Sequence, residues 1–216
     1  MTRLVAAPHK GDPVTIANPS TTDDLGSAAQ RERRKRILDA TYELAKSGGF
    51  DAVQMRAVAE HADVALGTLY RYFPSKIHLL VSALGRQFDE AATRLNEREI
   101  PGDNQADRVL YVLKRMARGM QGDPKLTEAL TRAFMFADSS VAAEIHVVGM
   151  AMTSIVTHAM HGGAPSEGAV SDEDVAVARV IGDVWLSALV SWVTGRSTAA
   201  ETAAHMETAI HLILRD

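Results

Sequence analysis

The residues with the types and spacing to do chemistry lie between positions 31 and 76. Arg31, Arg33, Arg34 and Lys35 follow one another almost without interruption, a density of cations suited to phosphates or to a minor groove. Gln54 and Arg56 open a second segment, within which Thr68, Tyr70, Arg71 and Tyr72 offer donors to phosphates or base edges. Ala65 presents a methyl that suits thymine, and Leu66 and Gly67 begin the same face. Ser75 and Lys76 stand at an expected helix start, where free backbone N–H groups favour an anion. This is the chemistry of reading duplex DNA.

Such groups work only if something rigid presents them. Residues 55–72 read as helix, break, helix: MRAVAEHA, DVA, LGTLYRY. The first helix turns Val58 and Ala59 inward and the second Leu69, while Ala57, Ala62 and Gly67 are small enough for a close crossing. That is the helix-turn-helix plan, in which the second helix enters a major groove. An ordinary helical hairpin has the same spacing.

The run RILDATYELAKSGGFDAVQMRAVAEHADVALGTLYRYFPSKIHLL resembles the DNA-binding head of TetR-family transcriptional repressors, and GTLYRYFPSK is among that family's most specific marks. The resemblance implies an all-α fold over about residues 27–215: three head helices, a long fourth helix, and a larger body that forms a homodimer through its last two helices. It departs from the common pattern at Asp63, where the turn usually has glycine, although Asp tolerates a left-handed backbone. Ala65 replaces a Ser or Thr cap, a loss of about 1 kcal/mol. Gln54 replaces a common Thr and either caps its helix or contacts phosphate. The strings GSAAQRERRKRILDAT, VQMRAVAEHADV, YRYFPSKIHLLVSALGRQF, LTEALTRAFMFADSS and ARVIGDVWLSALVSWVT are similar to the branch of that family that represses steroid catabolism in actinobacteria. That similarity implies control of sterol-uptake and ring-degradation genes through palindromic operators. It also implies release by a coenzyme A thioester of a cholesterol catabolite. Periodicity and composition show no steroid, and a regulator answering a fatty acyl-coenzyme A or a drug fits the same residues.

Composition frames these readings. The 216 residues are 46% apolar, 23% charged and only 5% aromatic, as expected of a globular helical chain. There is no cysteine, which removes disulfides, thiol catalysis and sulfur-ligated zinc and suits a reducing cytoplasm. The net charge of -4 conceals a split, because Ala28 to Arg86 carry ten Lys/Arg against six Asp/Glu. A sequence-blind nucleoid protein fits the basic segment but not the acidic remainder. Residues 1–26, with Pro8, Pro13 and Pro19 among polar residues, are expected as a mobile tail, 27–74 as the DNA-binding domain and 75–216 as the ligand-binding and dimerisation domain. No uncharged apolar run reaches about 18 residues, so no membrane span is expected.

Cap and stop signals predict about nine helices. Ser27 with Gln30 opens the first, which ends at Ser47-Gly48-Gly49, and Pro101-Gly102 ends the long fourth. Asp123 with Pro124, Ser171 with Asp174, and Thr198 with Glu201 open later ones, and Gly162-Gly163 closes the seventh. The last two carry a wide apolar stripe, including Val180, Val184, Met206, Ile210 and Leu212, that points to a two-fold partner. Leu113, Met116 and Met120 share one face; Phe134 and Met135 end the next helix; Met150 lies on a third, and Trp185 and Trp192 share a fourth. Together they suit a cavity for a lipophilic effector, and singly they are core. Lys114, Arg115 and Arg118 either hold phosphates at its mouth or form a solvated face. His158 and His161 are three apart, but without further ligands no metal site is assigned, and no catalytic motif is present. A helical lipid-binding protein, and no enzyme, is the remaining alternative.

Overall fold

The computed structural model describes residues 20–96, 99–163 and 169–215, and among them are nine α-helices, one 3-10 turn and no strand. A head is built from α1 (Ser20–Ala52), α2 (Met55–His61) and α3 (Leu66–Tyr72), and α4 (Lys76–Asn96) leads from it into the body. The body adds α5 (Gln105–Gly122), α6 (Pro124–Met135), α7 (Ala142–His161), α8 (Asp172–Val193) and α9 (Ala199–Ile213), with the 3-10 turn Ser139–Val141 ahead of α7.

Most ends follow the local signals. Ser171 with Asp174 and Thr198 with Glu201 form reciprocal capping boxes on α8 and α9. Gly162, at φ 75, closes α7 in the left-handed region. Two ends differ. Ser27 and Gln30 lie inside α1, which begins at Ser20 and so takes in part of the expected tail. Residues 1–19 lie outside the described residues. Asp123 makes no cap bond to α6, and its carboxylate instead lies 3.7 Å from Lys46. At the far end of α1 the chain breaks at Gly49 (φ 69, ψ -158) before one further turn, as the Ser47-Gly48-Gly49 stop predicts.

The head closes on Ile37, Leu38, Val53, Val58, Ala59, Leu69 and Phe73, all buried. Asp63 adopts φ 52, so the turn between α2 and α3 keeps its left-handed residue without glycine. Gly67 does not serve the helix crossing, because it is exposed and an added Cβ would meet nothing within 4 Å. Its small size belongs to the outer face of α3.

Residues Ser139–His161 and α8 are long and apolar enough to cross a membrane, at mean hydropathy 1.4 and 1.5, although no uncharged apolar run of that length exists. The average tolerates Arg179 and Asp183 in α8. Both helices pack inside the body, α7 between α4, α5 and α8, and α8 between α6, α7 and α9.

Candidate DNA-reading surface and ligand chamber

The reading surface starts from two short helices held by few buried anchors, Val58 and Ala59 on α2 and Leu69 on α3. These leave Leu66, Gly67, Tyr70 and Arg71 exposed together on α3. Thr68 and Tyr72 are half-buried, and Tyr72 packs against the core beside Phe73. Ala65 and Gln54 precede α3 and α2 in extended backbone, and neither makes a side-chain cap bond. Gln54 and Arg56 are exposed, so of Gln54's two expected roles capping is removed.

On α1, Arg31, Arg34 and Lys35 are exposed and Arg33 is half-buried. Arg34 also lays its guanidinium 4.8 Å from the Phe73 ring centroid, which orients it over the end of α3. Ser75 and Lys76 are also held by contacts within the protein. The Ser75 hydroxyl oxygen lies 2.9 Å from His78 Nδ1, and His78 Nε2 lies 3.1 Å from the Ser140 carbonyl of the body. The Lys76 ammonium lies 3.8 Å from the Phe50 ring centroid, and partial burial lowers its pKa. Arg132 of α6 covers the same ring at 4.4 Å and reaches Asp51 at 3.9 Å.

Head and body are therefore fastened by named contacts. The Tyr42 hydroxyl donates to the Ala83 carbonyl at 2.5 Å, and burial pushes its pKa up. Arg86 of α4 pairs with Asp39 of α1 at 2.7 Å and with Glu90 at 2.8 Å. Lys125 of α6 donates to the Ser47 carbonyl at 2.8 Å.

The body contains three adjoining cavities. The first, about 420 Å³, lies between α5, α8 and α9 and is lined by Leu113, Met120, Trp185, Trp192 and Met206. The second, about 340 Å³, lies between α4 and α5 and is lined by Gln87, Phe88, Leu95, Tyr111, Met116 and Met120. The third, about 260 Å³, takes in Phe88, Phe134, Met152, Trp185 and Leu189. Met120 joins the first to the second, Phe88 the second to the third, and Trp185 the first to the third. Each volume falls near or within the range of about 300–1,000 Å³ usual for small-molecule sites.

Six of the eight residues expected at a cavity line one: Leu113, Met116, Met120, Phe134, Trp185 and Trp192. Met135 and Met150 do not; they are 52% and 53% exposed and face away from these cavities. Lys114 and Arg118 border the first cavity and Arg115 the second, with Lys114 paired to Glu207 at 3.0 Å. Sequence reasoning missed Gln87, Phe88 and Tyr111 in the second cavity. It also missed that Gln87 Oε1 and Trp185 Nε1 are buried without hydrogen-bond partners. Apolar periodicity marks Phe88 as core, and nothing local marks an unpartnered polar atom. His161 lies 3.3 Å from Asp174, and no group of three or more potential metal ligands gathers among the described residues.

A compact head exposing a short helix, joined through one long helix to a cavity-bearing body, is the architecture of a one-chain transcriptional regulator. Residues 37–83 match the model for bacterial regulatory proteins, tetR family, and residues 102–213 match the tetracyclin repressor-like C-terminal domain. The chain belongs to the TetR family of transcriptional regulators. It is 56% identical over 194 residues to the HTH-type transcriptional repressor KstR of Rhodococcus jostii, covering 90% of this chain and 88% of that protein. A TetR transcriptional regulator from Rhodococcus sp. RHA1 superposes with a TM-score of 0.74 at 32% identity, covering 87% of this chain and 97% of that one. FadR of Thermus thermophilus, a TetR repressor solved with lauroyl-CoA, shares the fold at a TM-score of 0.66 and 17% identity, covering 84% of this chain and 93% of that one.

Proposed function

We propose that this protein is a homodimeric repressor of steroid-catabolism genes that binds palindromic operators and is released by a coenzyme A thioester of a cholesterol catabolite. One observation carries the reading: α4 starts directly after the exposed face of α3 and lines the second and third cavities with Phe88. A ligand seated there touches the same helix that orients the reading head. Residues 27–74 read DNA and residues 75–216 hold ligand and partner. The kinship with KstR supports the regulon, and the lauroyl-CoA of Thermus thermophilus FadR supports a thioester in this fold. Lys114, Arg115 and Arg118 at the cavity mouths supply cations for the phosphates of such a tail.

Within each head, Leu66, Gly67, Thr68, Tyr70, Arg71 and Tyr72 enter the major groove together with Ala65. Arg31, Arg33, Arg34, Lys35, Gln54, Arg56, Ser75 and Lys76 meet phosphates around it. Two heads on a palindrome need grooves about 34–36 Å apart. Ligand must favour a different head separation, and coupling of about 1–3 kcal/mol is typical. The site of action is the cytoplasm, where the DNA is.

A gel-shift titration of an operator palindrome tests this. Release by a steroid acyl-coenzyme A, and not by free coenzyme A, is the expected result. A shifted palindrome that no steroid thioester releases overturns the effector assignment, and release by fatty acyl thioesters alone assigns the chamber to those instead. Equal affinity for random DNA overturns the operator reading.

A further inference from the structure

The chamber has a polar feature that hydrophobic filling does not explain. Trp185 is only 7% exposed, and its Nε1–H is buried with no acceptor. An indole N–H only donates, and an unpaired donor in an apolar interior is destabilising relative to phenylalanine of similar shape. Trp185 also lines two cavities, the first with Leu113 and Met120 and the third with Phe88 and Met152.

We propose that Trp185 is the specificity-determining donor of the chamber, and that its indole N–H binds an acceptor oxygen, a ring carbonyl or ether, within an otherwise apolar ligand. This rests on the reading of the chamber as a steroid-thioester site. A ligand with a plain hydrocarbon frame leaves the donor unpaired; one with an oxygen beside the indole satisfies it. Buried polar groups discriminate in this way because the wrong ligand strands them.

The test uses the full-length protein and two coenzyme A thioesters of one steroid acid, identical except that a ring carbonyl in the first is a methylene in the second. The chain has two tryptophans, and both line the first cavity, so intrinsic fluorescence follows binding. The ketone is expected to bind about ten-fold more tightly than its methylene counterpart, and the ratio is expected to fall to about one in Trp185→Phe. In Trp192→Phe both affinities shift together and their ratio stays. With Trp185 the sole indole there, its Nε1–H proton resonance moves downfield with the ketone and not with the methylene compound. Equal affinities for the natural sequence, or a preference that survives in Trp185→Phe, overturn the assignment while leaving the chamber reading intact. If Trp185→Phe does not fold, the ligand pair on the natural sequence and the resonance shift decide. Binding of neither thioester to folded protein overturns the steroid reading, and the Trp185 assignment with it.

Discussion

Arg71 and Lys76 are five residues apart and differ in freedom. Arg71 is exposed on α3, whereas the Lys76 ammonium rests on Phe50 beside Arg132. Arg71→Ala is expected to weaken operator binding by about 1–3 kcal/mol if it reads a base, or to reduce the salt slope by about one if it meets a phosphate. Lys76→Met should cost less operator affinity than Arg71→Ala; fluorescence anisotropy across a salt series measures both. Leu69, the buried anchor of α3, is 0% exposed, and Leu69→Ala is expected to destabilise the head by about 2–5 kcal/mol, seen as an early phase in thermal unfolding. The residue types and spacing of the reading surface were legible in sequence because they are local. The engagement of Lys76 with Phe50 was not, because Phe50 reaches it through the fold of α1.

At the level of elements, caps and stops were legible for the same reason: Gly49, Gly162 and the two capping boxes act within a turn. The boxes carry a pH dependence. Backbone and hydroxyl donation from Ser171 lowers the Asp174 pKa, and Thr198 does the same for Glu201. A carboxylate with a lowered folded pKa stabilises above its unfolded pKa, about 4, and loses that contribution as pH falls through the folded value. Asp174→Asn and Glu201→Gln should each lower Tm at pH 7 and flatten its decline below about pH 4, measured by circular dichroism. The cavity linings were only partly legible. α7 is apolar nearly all round, so periodicity gives no preferred face, and Met150 is exposed. Which helices leave gaps between them depends on packing across the chain, beyond any local pattern.

Across the whole molecule, the apolar stripe of α8 and α9 divides between two duties. Met206 and Ile210 are buried in the subunit's own body, while Val180 and Leu212 are 49% and 53% exposed. Val180→Asp combined with Leu212→Glu is expected to yield monomers by light scattering and to abolish palindrome binding, with the helical spectrum retained. The sequence could not apportion that stripe, because α8 is apolar on faces that meet α6, α7 and α9 as well as on its outer one. The fastenings between head and body fall in two groups, one where Tyr42 and Asp39 meet α4 and one around Ser47 and Phe50 where α1 breaks against α6. A rigid part pinned at two points keeps a single freedom, rotation about the line through the pins. The geometry thus nominates a pivot axis along the latter half of α1, and any swing of the heads would follow that axis in preference to bending or sliding.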